Sequence, residues 1–333
     1  MKAAAPLLLA LLPLAACKHT YQKEVEATPE QKLELYTTTA TYLYEDGDLD
    51  KAQDQAVKAL EIDPEHRAMR RMIGWIRVRK DGHEDLILAE RFFRDLIEDG
   101  DENDNTRLGL AITCERLGKA YDDVARATRA GEREAPSDTS PEKHAQGLEK
   151  SAQNYWKEGV ELCDAILIAG EGNTNAMNAL QRLEALRGNY DLSLAWSARL
   201  LERTGEELAT WRRMLEEKDL TESEERLFRK NARAALELEN DTHIFAATLL
   251  FRLQRYDEGL PHLDAVVAAN PELAQAYSLR GQFRARSGEY QGAVEDLDRY
   301  LALSEAPFEH PDVQRAFELR AQAAKHLEGA SPR

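Results

Sequence analysis

RLQRYDEGLPHLDAVVAAN (252–270) and RSGEYQGAVEDLDRYLALS (286–304) decide the fold. Laid over one another with a shift of 34, they place Arg252 on Arg286, Tyr256 on Tyr290, Leu263 on Leu297, Asp264 on Asp298 and Ala268 on Ala302. Within each stretch apolar residues recur at three and four, the spacing of one helix face. A helical unit repeated at a period of 20–50 residues cannot bury its apolar face alone and stacks on its neighbours.

Outward from this pair the same periodicity runs through the chain. It predicts helices at 31–45, 49–62, 66–80, 84–98, 105–117, 120–131, 152–169, 174–187, 191–203, 206–217, 222–238, 241–254, 256–269, 273–287, 290–303 and 311–327. Many are joined by turns such as Glu45-Asp46-Gly47-Asp48, Gly188-Asn189 and Ser287-Gly288-Glu289. No stretch alternates long enough for a strand, and 11 prolines and 18 glycines in 333 residues are too few for a many-stranded sandwich. With 43% hydrophobic residues the chain can build a core. The fold class is therefore all-α. A net charge of −17 argues against nucleic acid as a partner.

The 34-residue copies resemble tetratricopeptide repeats. In the copy starting near Gln31, Tyr36 and Leu43 take the first-helix slots, Ala52, Ala56 and Ala59 the second-helix slots, and Pro64 closes the unit. Near Asn240 the matching residues are Ala246, Ala247, Leu250, Gly259, Leu263, Val266 and Pro271; in the next copy they are Tyr277, Gly281, Tyr290 and Ala293. Arg280, Arg284 and Glu305 depart from the expected Leu, Tyr and Pro. A weaker copy includes Gly188, Tyr190 and Leu200, and copies around 66–101, 102–131 and 205–238 are degraded. The resemblance implies a helix–turn–helix α-solenoid. Its organisation would be N-terminal repeats at 31–130, a polar loop at 131–151, degenerate helical repeats at 152–240, C-terminal repeats with a capping helix at 241–327, and a frayed tail at 328–333. The loop, with Pro136 and Pro141 and no apolar period, is able to divide the solenoid into two arms.

The first residues carry a different signal. Lys2 precedes the short apolar run Leu7–Leu12, too short to span a bilayer, and Leu14-Ala15-Ala16-Cys17 follows. These four residues resemble the lipobox of bacterial lipoprotein precursors. The resemblance implies a signal peptide at 1–16, lipid on Cys17, and a tether at 17–30. Lys18, where an aspartate would signal inner-membrane retention, implies the outer-membrane class with the body facing the periplasm of a Gram-negative cell.

A search for chemistry finds little. The eight histidines form no HExxH and no zinc spacing with cysteine, and no phosphate-binding or nucleophile-elbow motif is present. Asp46–Asp50 and Asp99–Asn103 read as helix turns capped by Asp rather than as calcium loops. Cys114 and Cys163 sit in apolar helical contexts, as core thiols or as a disulfide pair. The expectation is a non-enzymatic protein with no metal or cofactor.

Binding is the remaining function. The basic helix at 66–80 carries Arg71, Trp75 and Arg79 at a spacing of four, on one side. Trp and Arg are hot-spot residue types; the competing reading is a solvated face balanced by Glu45, Asp46, Glu84 and Asp85. By register, the first helices of the pairs should present Thr37, Thr41, Tyr44, Arg71, Trp75, Phe251, Arg252, Gln282 and Arg286 to a concave groove. The family's carboxylate clamp of Lys and Asn is not carried over, because Ile244 and Thr248 lie on that side. The expected function is a lipid-anchored periplasmic scaffold that binds a partner protein or peptide in envelope assembly. The alternatives are a permanently docked accessory subunit and, third, an envelope hydrolase.

Overall fold

The computed structural model describes residues 27–170, 172–217 and 219–330. The signal peptide, Cys17 and most of the tether lie outside the described residues, as do the last three residues of the tail. Among the described residues there are thirteen helices and no strand, and no helix is long and apolar enough to cross a membrane. The described residues fall into two compact units that divide between Met69 and Arg70.

In the first unit, α1 (Pro29–Asp46) and α2 (Leu49–Ile62) form a hairpin. Thr28 caps α1 in a reciprocal pair with Gln31, and Pro29 opens its first turn. Gly47 ends the helix at φ 88°, and Asp48 caps α2 through the Lys51 N–H. The Asp46–Asp50 segment is thus a capped turn. Ala40, Ala52, Ala56 and Ala59 are fully buried where the helices cross, since small side chains permit close approach.

α3 (Arg67–Lys80) begins at the end of the first unit, and the second unit holds the rest of it with α4 (His83–Glu98), α5 (Asp104–Arg129), α6 (Pro141–Ala169), α7 (Thr174–Leu186), α8 (Tyr190–Leu215), α9 (Glu222–Arg252), α10 (Tyr256–Ala269), α11 (Ala274–Ser287), α12 (Tyr290–Leu303) and α13 (Pro311–Ala330). From α4 onward each helix packs on the next, and α5 touches α7 as α11 touches α13. Contacts to the second helix along are what stacked hairpins make, so this unit is an α-solenoid.

Three expected breaks are absent. Residues 105–131, 191–217 and 222–254 were expected to break into helix pairs; they are the single helices α5, α8 and α9. Gly118 sits inside α5 because the Trp156 indole occupies the space a Cβ would need, 2.4 Å from Nε1. In α9, the polar Glu239-Asn240-Asp241 does not stop the helix: buried Thr242 returns its hydroxyl to the Leu238 carbonyl at 2.7 Å. The polar link is also shorter than 131–151. Ser140 caps α6 and Pro141 occupies its first turn, leaving 131–140 outside helix.

Candidate partner-binding face

The last repeats are built around one aromatic ring. Phe283 of α11 is fully buried and leans on Gly259 of α10, where a Cβ would stand 2.1 Å from its Cε1. Phe251 of α9 packs its ring 5.1 Å from Phe283 and 5.5 Å, edge-on, from Tyr256. This fixes the α9, α10 and α11 stack.

On the other side of α11, Arg280 and Arg284 replace the expected Leu and Tyr for a visible reason. Asp296 of α12, only 3% exposed at its side chain, accepts from Arg280 at 2.7 and 2.9 Å and from Arg284 at 2.7 Å. Burial opposes the charge on Arg280, but the hydrogen bonds and charge of Asp296 and Asp264 outweigh it and hold the guanidinium more firmly protonated. The two arginines at i and i+4 fasten α11 to α12.

Against that frame, Phe251, Gln282 and Arg286 come together. With Arg315, Glu318 and Leu319 of α13 they line a cleft of about 160 Å³ formed by α9, α11 and α13. Arg286 is exposed and makes no ion pair among the described residues, and Arg315 reaches only loosely to Asp312 at 3.6 Å. Arg252, on the next position of α9, is exposed but does not line the cleft. The cleft offers two available guanidiniums beside an apolar wall, a combination that accepts a carboxylate in two hydrogen bonds.

The candidates nearer the N-terminus are placed differently. Arg71 is 16% exposed at its side chain. Its Nη2 meets Asp101 at 2.9 Å and its Nε–H donates to Thr106 at 2.8 Å, while the Thr106 hydroxyl donates to Asp101 at 2.6 Å. Burial pushes the Asp101 carboxyl up, and these hydrogen bonds overcome it and hold it below the usual range. Arg70 pairs with Asp99 at 2.7 Å and Arg77 with Asp85 at 2.6 Å. The basic face of α3 is thus largely balanced, by Asp85, Asp99 and Asp101. Trp75 is half-buried, edge-on to Phe93 at 5.8 Å. In the first unit Thr37 and Thr41 line a shallow recess with Tyr42, whereas half-buried Tyr44 lies on the last turn of α1 and does not.

One feature escaped sequence reasoning. His243 of α9 and His262 of α10 meet Nδ1 to Nδ1 at 2.8 Å, so one ring donates and the other accepts. Burial and the neighbouring ring lower the His243 pKa to about 4, and burial lowers that of His262. Their separation of 19 residues matches no ligand pattern, so only the hairpin register could have revealed the pair. Cys114 and Cys163 are both free and fully buried, in α5 and α6. Burial raises both thiols, that of Cys163 to about 12, which leaves them unreactive core residues. Among the described residues no group of three His, Cys, Asp or Glu side chains could hold a metal ion.

No curated protein matches the chain. Among solved structures, it is similar to a tetratricopeptide repeat protein from Parabacteroides merdae, at 16% identity and a TM-score of 0.37 over 87% of this chain and 99% of that one. It is also similar to the assembly chaperone of RpL4 (15%, TM-score 0.36, 91% and 98% covered) and to the TPR2AB domain of yeast Sti1 in complex with pHSP90 (13%, TM-score 0.27, 88% and 98% covered). The tetratricopeptide repeat family model matches residues 246–310, a span that runs from the end of α9 through α12 and supplies Phe251, Gln282 and Arg286 to the cleft, leaving α13 as the helix outside the match that closes it.

Proposed function

We propose that the chain is a non-enzymatic, lipid-anchored scaffold of the cell envelope, attached through Cys17 at the periplasmic side of the outer membrane, and that it binds a partner protein or peptide on the face shared by α9, α11 and α13. The observation that carries the binding part is the convergence of Phe251, Gln282 and Arg286 with Arg315 and Leu319 in one cleft. In a chain of net charge −17, this cleft is a locally basic spot beside exposed Arg252. The fitting occupant is an extended segment with an acidic residue next to an apolar one: guanidinium pairs with carboxylate, and Phe251 and Leu319 supply contact area. The anchoring part is supported by the lipobox-like Leu14-Ala15-Ala16-Cys17 and the absence of aspartate at Lys18.

A photo-crosslinking residue in place of Gln322, which lines the cleft, tests the binding part in native envelope. A defined adduct should form and should fade when Arg286 and Arg315 are both changed to Ala. Adducts insensitive to those changes, or equal adducts from a crosslinker at exposed Arg233, would refute the assignment. For the anchor, Cys17→Ser should move the protein out of the detergent phase, and unchanged partitioning would refute lipidation.

A further inference from the structure

The α5–α6 hairpin holds a second cavity, away from the α9–α11–α13 face. α5 and α6 have 26 and 29 residues, against 13 in α7, so at 1.5 Å per residue they extend well past it. The connection at their tip is ordered. The N–H groups of Glu132 and Arg133 both donate to the Ala127 carbonyl, Thr139 N–H donates to Pro136, and the Arg129 guanidinium bridges Glu142 and Glu149. Between this tip and the start of α4 lies a cavity of about 800 Å³, within the ~300–1,000 Å³ of small-molecule sites.

Its walls are of two kinds. Ala120, Val124 and Leu148 give an apolar floor, with Pro136 from the connection. The Tyr121 ring is backed by Tyr155, parallel at 5.7 Å, and met edge-on by His83 at 6.2 Å, so it is held as a fixed aromatic surface. The polar lining is His83, His144, Arg133 and Glu134. Arg129 is doubly paired, yet Arg133 and Glu134 pair with no charge among the described residues. One available cation and one available anion, adjacent in sequence, therefore border an apolar chamber. Neither a simple anion nor a simple cation matches both.

We propose that this cavity binds a small zwitterion with an apolar or aromatic body, a free apolar amino acid or a short apolar peptide. Its carboxylate is taken by Arg133, its ammonium by Glu134, and its side chain lies against Tyr121, Val124 and Leu148. The site is independent of the partner-binding cleft.

The test is calorimetric titration of the full-length chain with L-phenylalanine, L-leucine, a phenylalanyl-leucine dipeptide, N-acetyl-L-phenylalanine and L-phenylalaninamide. At least one of the first three should bind saturably at one site, and which one does distinguishes amino acid from peptide. Blocking either charge should weaken binding about tenfold, the scale of one charge-assisted pair. Arg133→Ala should erase the preference for acid over amide, and Glu134→Gln the preference for amine over acetylated amine. Both positions are exposed on the connection, so the melting temperature should not move. Val124→Trp, which fills the chamber, should abolish binding, with Leu148→Phe as the milder filling variant. The proposal is overturned if no ligand of the panel binds at millimolar concentration, if the blocked analogues bind equally well, or if affinity survives both Arg133→Ala and the filling variants.

Discussion

The C-terminal hairpins α10–α12 and the longer array α4–α6 look unlike in sequence and are packed by the same device. In the first, Phe283 occupies the space left by Gly259. In the second, fully buried Phe93 of α4 occupies the space left by Gly109 of α5, where a Cβ would lie 2.3 Å from its Cζ. Trp156 of α6 does the same over Gly118 and donates its indole N–H to the Glu115 carbonyl at 3.2 Å. Helix length is what differs: 14 residues each for α10, α11 and α12, against 26 and 29 for α5 and α6. The repeat period is thus a property of loop positions, while the crossing of two helices over a glycine persists where the period is lost.

If the device is common, removing the aromatic should cost both regions alike. Phe93→Ala and Phe283→Ala should each destabilise by about 3–5 kcal/mol, because a fully buried ring leaves a cavity its neighbours cannot fill. Urea unfolding of the two variants checks this. A cost below 1 kcal/mol for Phe93→Ala with a full cost for Phe283→Ala would show that the long helices do not share the packing of the repeats. Next in size is Asp296→Ala, at about 3 kcal/mol, since it strands Arg280 and Arg284 without the buried carboxylate they share. Asp296→Asn, keeping the shape and part of the hydrogen bonding, should recover some of that loss in the same assay. An Asp296→Ala variant as stable as the parent would mean the pair contributes nothing net.

Acid should separate the regions by a smaller effect. The folded-state pKa of His243 lies at about 4 against an ordinary 6.5, and that of His262 is also lowered. Between these values the unfolded chain binds more protons than the folded one, so stability falls as pH drops from 6.5 toward 4. Asp101 is lowered from an ordinary 3.8, so its contribution is present above that value and is lost only as pH falls through the folded-state value. Hydrogen exchange at stepped pH should therefore show α9 and α10 loosening first, while the clamp of Arg71 on Asp101 survives to lower pH. His243→Phe should flatten the α9–α10 response. The opposite order, with the α5 start loosening first, would overturn this account.

What was legible in the sequence follows from the same contrast. Where hairpins are short, turn residues fall at a fixed offset, and the 34-residue register alone places Gly259, Gly281, Ala293 and Leu297; the last two are fully buried. Phe251, Gln282 and Arg286 followed from that register. The continuity of the long helices is not legible in the sequence, because Gly118, Gly205 and Asn240 disfavour helix by at most about 1 kcal/mol each, which tertiary packing overrides. Nor could the sequence show that Arg71 faces Asp101, thirty residues on, across a loop. A basic helix in an acidic chain looks the same whether its arginines are clamped or available.

The smallest effect on stability should accompany the clearest effect on binding. Arg286 is exposed and Arg315 is 68% exposed at its side chain, with one loose neighbour in Asp312. Neither supports the Phe283 packing, so Arg286→Ala and Arg315→Ala should each change unfolding free energy by no more than about 0.5 kcal/mol. Arg71→Ala, although it removes the same residue type, uncovers buried Asp101 and should cost more than 1 kcal/mol. If the α9–α11–α13 face holds the partner, the ranking reverses for capture. Arg286→Ala should weaken it about tenfold, the loss of one charge-assisted pair, and Arg71→Ala should leave it nearly unchanged wherever the fold survives. Measuring both quantities on the same three variants separates residues that hold the solenoid from residues that use it. Loss of capture by Arg71→Ala at full stability, with none from Arg286→Ala, would move the binding face to α3.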